Sequence, residues 1–356
     1  IFTNDAIVFG ILMSSLGVVF YTESKTNGFW HRFYKIVPGL FMAYFIPAIF
    51  TTTGLISPAW KTTNPDGEII SHASQLYYVA SRFLLPAALV LMTLSIDLKA
   101  IFNLGSKALI MFFTGTIGIV IGGPIAILLI SFFSPETVGG SDFDAVWRGL
   151  STLAGSWIGG GANQTAMLEI YKYNPAKYGG MVIVDIVVAN VWMAILLIGI
   201  GKKDSINKWL KADTIAIEEL KDKVISFTQK VKKNPTLSDF MIMLAIAFGT
   251  VGFGHFSAKY LSLFFSEIVA AINSQTLRNV FSFLGSSFFW LISISTIIAI
   301  LLSYTKAKNY EGAGASKLGS IFIYILVATI GMKMDLNQAF ENPGLMVIGF
   351  VWISIH

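Results

Sequence analysis

The sequence has few charged residues and no cysteine. Charged residues make up 13% of the 356 residues, about half of the roughly 25% that is typical of soluble domains. A soluble domain of this composition would expose large apolar patches, so ordinary soluble, disordered and nucleic-acid-binding proteins are excluded. The absence of cysteine excludes disulfides, thiolate metal sites and cysteine nucleophiles. The sequence also lacks a GxxxxGK phosphate-binding loop, which disfavours ATP-driven transport.

Apolar residues dominate the composition. They make up 54% of the chain, and the mean hydropathy is +0.70. These values predict an all-α polytopic membrane protein whose main partner is the lipid bilayer. The net charge of +5 is concentrated in a few loops, so we interpret it as a signal of membrane topology rather than as a binding patch for acidic partners.

Apolar runs of spanning length predict about ten transmembrane segments. The last run, 344–356, rises only about 20 Å as a helix, less than the roughly 30 Å hydrocarbon core. We therefore expect the sequence to be a fragment, cut more severely at its C-terminal end. The predicted segments are 5–21, 33–53, 74–94, 106–133, 145–171 (interrupted), 178–200, 238–255, 277–304, 317–332 and 344–356.

A faint internal repeat relates the two parts of the chain. Segments 91–102 and 329–340 share an Asp-Leu pair after an apolar run, and both place Phe four residues after that Leu. Repeated halves are typical of secondary transporters, although chance similarity between apolar helices is the alternative. The repeat predicts a first transmembrane repeat over 1–200 and an incomplete second repeat over 238–356. Between them, 201–237 is predicted to be a cytoplasmic, Lys-rich amphipathic linker helix.

Loop charges conflict with a simple count of crossings. Loop 172–177 contains two lysines, and 201–237 contains nine lysines against five acidic residues, so both loops are predicted to be cytoplasmic. Only one predicted membrane crossing separates these two loops. Two loops on the same side of the membrane must be separated by an even number of crossings. Either 145–171 does not cross the membrane simply or a segment is miscounted.

The glycine-rich stretch LAGSWIGGGANQTA, residues 153–166, is the candidate transport site. Glycine is unfavourable in helix interiors, so the cluster predicts a helix break between Gly155 and Asn163. Broken backbone at membrane depth presents free N–H groups and carbonyls to an ion or solute. Asn163, Gln164 and Thr165 add side-chain ligands. The alternative is close helix packing through small residues, which does not require the Asn-Gln-Thr run.

Three ionisable residues inside predicted spans stand out: Asp185, Arg82 and His255, of which we expect His255 at an interface rather than in a site. Asp185 is flanked by apolar residues, and such a carboxylate is expected to face a cavity or a partner. We interpret it as a proton carrier or Na⁺ ligand, with a structural hydrogen bond as the alternative. Arg82 is followed by Pro86, which cannot donate to the Arg82 carbonyl. Arg82 could hold a substrate carboxylate, pair with Asp185 or snorkel to the interface.

The motif SWIGGGAN, followed by Asp185 and ANVWMA, resembles the YjcL-like family of bacterial membrane proteins. GMKMDL also resembles a helix end of the cation/proton antiporter and bile-acid symporter superfamily. The resemblance implies a multi-pass protein of the inner membrane with inverted repeats and two broken helices that cross. It places Ser156, Gly159, Gly160, Gly161 and Asn163 at one crossing. The second glycine-rich broken helix is missing from this sequence.

These observations predict a secondary active transporter that moves a small solute together with Na⁺ or H⁺. Na⁺ is a candidate ion at Asn163 and Asp185. We expect no other cofactor, no nucleic-acid partner and no enzymatic activity. A homodimer is the candidate assembly. One alternative is a structural or regulatory membrane subunit derived from a transporter. A more remote alternative is an intramembrane hydrolase that uses Ser156, which would need a base within hydrogen-bond reach.

Overall fold

The computed structural model describes residues 1–63, 68–94, 96, 106–200, 208, 231, 233–339 and 341–356. Within these ranges the chain is mostly helical. Four helices are long and apolar enough to cross a membrane, or six if each of two sharply bent helix pairs is counted as one span. The protein is therefore a multi-pass helical membrane protein. Most of the predicted linker helix 201–237, and Asp97, Phe102 and Phe340 of the repeat comparison, lie outside the described residues.

The part of the chain up to residue 200 contains the first helices and a two-stranded antiparallel sheet, which the all-α prediction did not include. Its elements are α1 (Asp5–Glu23), α2 (Gly28–Tyr34), α3 (Gly39–Thr52), β1 (Ala59–Thr63), β2 (Ile69–Ala73), α4 (Leu76–Thr93, with a π-helical turn at Ala80–Leu84), α5 (Ser106–Phe133), α6 (Pro135–Val138), a 3₁₀ turn (Asp142–Asp144), α7 (Val146–Gly159), α8 (Gly161–Tyr171) and α9 (Tyr178–Ile200).

The remaining elements follow residue 236. They are α10 (Leu237–Ala270), α11 (Gln275–Phe281), a 3₁₀ turn (Ser282–Gly285), α12 (Ser287–Ser303), a 3₁₀ helix (Lys306–Ala313), α13 (Ala315–Gly331), α14 (Leu336–Ala339) and α15 (Gly344–Ile355). Polar caps begin several of these helices. Thr236 and Asp239 form a reciprocal capping box at the start of α10, and the side chain of Ser286 accepts from the Phe289 N–H at the start of α12.

Close packing around α4 forms the centre of the bundle. Helix α4 lies against α10, α12 and α13, and α13 also packs on α3. A Cβ on Gly319 would lie 3.0 Å from the carbonyl oxygen of Ala88, so glycine permits the close approach of α13 to α4. Helix α15 packs on α5, where the Trp352 indole N–H donates to the Ile119 carbonyl at 2.8 Å.

Loop contacts define the two ends of the bundle. At the first, which we call the β-hairpin end, contacts join the N-terminus, the β-hairpin and the loops around 137, 176 and 332–342. These are a bridge between Phe2 and Ile56, and hydrogen bonds from Gln75 N to Asp5 Oδ2, Thr51 Oγ1 to the Met332 carbonyl, Asp335 N to the Ala176 carbonyl, and Asn342 Nδ2 to the Thr137 carbonyl. At the second, the Lys233 end, the Lys233 N–H donates to the Gly312 carbonyl.

Candidate functional site

A glycine turn joins α7 to α8. Gly160 has φ +81° and ψ −176°, a backbone region that only glycine occupies readily. The helix break predicted between Gly155 and Asn163 is therefore confirmed, with its turn at Gly160. Gln164 N donates to the Gly160 carbonyl and starts the next helix within one turn.

The two helices fold back on each other as an antiparallel hairpin. A Cβ on Gly155 would lie 2.8 Å from the Asn163 carbonyl oxygen, and one on Gly159 would overlap the Asn163 side chain. The Trp147 and Tyr171 rings meet 5.7 Å apart at the other end of the hairpin. Close helix packing, which was the alternative to a helix break, is therefore a second role of the same glycines.

The hairpin returns to the end of the bundle at which it starts. Asn174 N donates to the Phe143 carbonyl at 2.8 Å, and Asn174 Nδ2 donates to Asp144 at 2.7 Å. Lys177 pairs with the same Asp144 carboxylate at 3.0 Å. The counting of 145–171 as one interrupted span is therefore wrong, because α8 runs back beside α7. Loop 172–177 therefore lies at the same end as loop 134–144. Because α9 alone still separates loop 172–177 from 201–237, the two loops cannot both be cytoplasmic as predicted.

The hairpin tip, residues 156–163, holds the carboxylate of Asp185 on α9. Ser156 Oγ donates to one carboxylate oxygen at 2.8 Å, and Trp157 Nε1 donates to the other at 2.8 Å. Both donors are neutral. In the part of the chain that the structure describes, no lysine, arginine or histidine forms an ion pair with Asp185. The carboxylate is therefore positioned by hydrogen bonds but has no protein cation to compensate its charge.

The other predicted tip residues have different roles. Thr165 Oγ1 donates to the Ala162 carbonyl within its own helix at 2.8 Å. Gln164 is buried, and its side chain interacts with the Asp185 carboxylate. The Asn163 side chain lies against Gly159. Gly161 does not form the turn itself, because the positive φ belongs to Gly160 alone among these three glycines.

Arg82 belongs to a second polar centre at the hairpin base, near the end of α8. Its Nη2 lies 2.9 Å from Glu169 Oε2, so Arg82 pairs with Glu169 and not with Asp185. The Tyr77 hydroxyl donates to the other Glu169 oxygen, and the Lys333 ammonium lies over the Tyr77 ring. The buried Glu169 carboxylate is thus compensated by the Arg82 guanidinium of α4, and the Lys333 ammonium of the turn after α13 lies nearby.

The π-helical turn of α4 adapts the helix to Pro86. Proline has no N–H for the Arg82 carbonyl, and π-turns are common at functional sites. His255 Nε2 on α10 lies 3.0 Å from this carbonyl oxygen, which can only accept, so the ring N–H donates. No sequence pattern indicated that His255 belongs to a site.

Sequence reasoning missed Glu169, Tyr77 and Trp157. Glu169 lies inside the predicted segment 145–171, and an acidic residue at membrane depth was the available signal. Tyr77 and Trp157 had no signal, because aromatic residues are common at membrane interfaces. Ser156 donates to Asp185, while His255 and His356 bind the carbonyls of Arg82 and Gly115, so these contacts do not support the hydrolase alternative.

The loop at the hairpin base carries a stabilised carboxylate. Hydrogen bonds from Asn174 and then Lys177 hold the pKa of Asp144 below its usual value. Burial raises the pKa of the neighbouring Tyr173 to about 12. A cavity of about 640 Å³ opens here, lined by Tyr77, Asp144, Glu169 and Tyr173 among others. Over the described ranges, no group of three or more His, Asp or Glu side chains is placed to hold a metal ion.

Comparison with known proteins identifies the family of this chain. The family described as "Protein of unknown function (DUF819)" matches residues 10–356. The chain belongs to this family. A curated relative, "Uncharacterized membrane protein YjcL" of Bacillus subtilis (strain 168), is 24% identical over 298 residues. The match covers 79% of this chain and 65% of the relative, so the chain spans about two thirds of that protein's length. No solved structure matches this DUF819 chain.

Proposed function

We propose that this DUF819 protein is a secondary active transporter that moves a small solute together with Na⁺ or H⁺. The observation that carries the proposal is the Asp185 carboxylate at the hairpin tip, held by Ser156 and Trp157 without a protein cation. An ionised carboxylate at membrane depth is costly. A bound H⁺ or Na⁺ removes that cost, so the tip is a site whose occupancy responds to an ion gradient.

Further polar groups are buried around the tip. Tyr44 and Tyr178 are fully buried, with ring centroids 6.1 Å apart, and their hydroxyls interact with each other. The Gln164 side chain interacts with the Asp185 carboxylate. Buried polar groups are normally satisfied by protein or by water. These neutral groups extend the polar environment of Asp185 and support its assignment as the coupling residue.

Opposite helix directions support the inverted-repeat part of the proposal. Helix α1 runs from the β-hairpin end to the Lys233 end, whereas α10 begins beside Lys233 and runs the other way. Helices α4 and α13, at corresponding places in the two predicted repeats, pack directly on each other. Inverted repeats related by an axis in the membrane plane would produce this arrangement. The ten-span count then becomes nine crossings and one helical hairpin.

Loop charges give the orientation that we propose in the inner membrane. The sequence places nine lysines in 201–237, which joins α9 to α10 at the Lys233 end, against two in loop 172–177 at the opposite end. Such an excess of lysine is typical of cytoplasmic loops. The hairpin then enters the membrane from the outer side. Because the chain has no cysteine, single cysteines can be introduced at 136 and 308 and labelled with an impermeant maleimide in intact cells. Labelling at 136 alone is expected.

Uptake into proteoliposomes tests the transport function. Radiolabelled carboxylates, amino acids and sugars are offered under an imposed Na⁺ or H⁺ gradient. We expect the wild-type protein to accumulate one class under one of the gradients, and Asp185→Asn to abolish the accumulation. Glu267→Gln, which removes an exposed carboxylate from α10, is the matched control and should transport normally. Full accumulation by Asp185→Asn would contradict the proposal, and no accumulation by the wild type would favour the structural-subunit alternative.

A further inference from the structure

A second cavity lies beside the hairpin base and is distinct from the tip. We call it the outer chamber; its volume is about 480 Å³, within the range of small-molecule sites. The end of α8, the outer half of α10, the middle of α4 and the segment 285–288 enclose it. Its charged and polar lining includes Arg82, Glu169, Lys172, His255, Lys259 and Ser287.

The outer chamber has an excess of positive charge. Arg82, Lys172 and Lys259 carry three positive charges, and Glu169 carries one negative charge, which leaves a net charge of +2 with His255 neutral. His255 is held in the tautomer that donates from Nε2 to the Arg82 carbonyl. In the part of the chain that is described, neither Lys172 nor Lys259 forms a salt bridge. The free positive charge therefore lies on the two lysines that flank the chamber.

Arg82 is placed to bind an anion. One of its terminal nitrogens pairs with Glu169, while Nη1 is buried and has no hydrogen-bond partner. The guanidinium lies 4.4 Å from the centre of the Phe288 ring, which fixes its plane. Guanidinium groups bind carboxylates through two parallel N–H donors. The Arg82 guanidinium therefore has one donor, Nη1, without a partner, and a ligand carboxylate can reach it after a shift of this partly exposed side chain.

A larger cavity adjoins the outer chamber. Its volume is about 840 Å³; it shares Lys172, Gly285 and Ser286 with the outer chamber and is also lined by Arg148. Arg148 therefore adds a further cation beside the chamber. Fields of one sign inside a cleft raise the local concentration of oppositely charged ligands.

We propose that the outer chamber binds a small dicarboxylate, with one carboxylate on Arg82 and the other between Lys172 and Lys259. Two negative charges match the net charge of the chamber, and Phe288 and Tyr78 line the space for a short methylene chain. The assignment names the solute class of the proposed transporter and in that sense depends on the proposed function. Binding itself requires no ion gradient and is measured separately.

Thermal unfolding of the purified protein in lipid nanodiscs tests the binding. The probes are succinate and glutarate, with butyrate as the single-charge analogue, succinamide as the neutral analogue, and inorganic phosphate. We expect the two diacids to raise Tm and the two analogues to leave it unchanged. Equal stabilisation by butyrate or succinamide, or no stabilisation by either diacid, would overturn the proposal. A larger shift with phosphate would overturn the assignment to a dicarboxylate.

Substitutions locate the site without depending on Arg82, whose loss would leave Glu169 unpaired. Lys259→Gln changes an exposed side chain and should weaken diacid binding about tenfold. Lys306→Gln removes an exposed lysine at the Lys233 end and should bind like the wild type. Unchanged affinity in both Lys259→Gln and Lys172→Gln would contradict the chamber. Asp185→Asn should keep diacid binding and lose uptake, so a failure of the transport proposal is distinguishable from a failure of this one.

Discussion

The hairpin presents a carboxylate environment at each of its ends, and the two differ in how charge is balanced. At the base, Glu169 contacts the Arg82 guanidinium and the Tyr77 hydroxyl. At the tip, Asp185 contacts neutral donors, namely Ser156, Trp157 and Gln164. The Glu169–Arg82 pair is therefore neutral as built, whereas the tip becomes neutral only when it takes up a cation.

This difference assigns different tasks to two acidic residues of the same membrane protein. A compensated pair holds helices together and resists loss of either partner. An uncompensated carboxylate contributes little to holding the fold and responds to ions from solution. Variants that change one of the two carboxylates and leave the other intact test this difference.

The largest expected effect comes from neutralising the two carboxylates separately. Glu169→Gln should lower the free energy of unfolding by about 2 kcal/mol, because it leaves Arg82 without its partner; this is below the roughly 3–5 kcal/mol of fully buried pairs since the Arg82 side chain is 27% exposed. Asp185→Asn should leave stability unchanged. Denaturant unfolding in nanodiscs measures both. The double variant Glu169→Gln/Arg82→Gln should recover part of the loss, and strictly additive losses would refute the pairing.

The next effect concerns the turn at the tip. Gly160→Ala places a Cβ in a backbone region that costs about 1–3 kcal/mol for other residues, so we expect a lower Tm and impaired uptake. Gly161→Ala is the matched control, because Gly161 is helical and a Cβ there would lie 3.6 Å from Leu40, an ordinary contact. Equal behaviour of the two variants would show that the Gly160 conformation is unimportant.

A smaller effect is expected from the donors to Asp185. Ser156→Ala removes one hydrogen bond to a charged group, which is worth about 1.5 kcal/mol or roughly tenfold in an equilibrium constant. The apparent affinity for the coupling ion, measured from the dependence of uptake on Na⁺ concentration or pH, should change by that factor. Trp157→Phe should act similarly. Identical ion dependence in both variants and the wild type would argue that these bonds are structural.

The smallest effect is a pH dependence at the hairpin base. The pKa of Asp144 is lowered in the folded protein by Asn174 and Lys177, so its stabilising contribution is present at neutral pH and is lost as the pH falls through that lowered pKa. Because its side chain is 42% exposed, we expect less than about 1 kcal/mol. The Tm difference between wild type and Asp144→Asn should shrink on acidification; a constant difference would contradict this account.

The helix break was predictable from the sequence, whereas the direction of the chain after it was not. Consecutive glycines at 159–161 have poor helix propensity in any context, and this local property located the turn. Whether α8 continues across the membrane or returns depends on contacts between distant residues, such as Asn174 with Phe143. The charge conflict between two loops was the one sequence signal of that return.

The hydrogen-bond and ion-pair partners within the site could not be predicted from the sequence either. Asp185 was identifiable because an isolated carboxylate in an apolar span is costly. Its donors lie 28 and 29 residues earlier in the chain, and no periodicity relates residues on different helices. Arg82 was assigned to Asp185 as one alternative because Glu169 was overlooked, although the two acids lie only 16 residues apart in sequence.

The depth of Asp185 has an electrical consequence. Ser156, which donates to Asp185, follows Val146 at the start of α7 by about 15 Å of helix, about half of a hydrocarbon core of about 30 Å. In the orientation that we propose, and if the membrane potential falls evenly, a cation that reaches Asp185 from the outer side crosses about half of it, which corresponds to roughly 1.2 kcal/mol per 100 mV. A cell with a negative interior would then load the hairpin tip roughly sevenfold more readily than a depolarised one, before any solute moves.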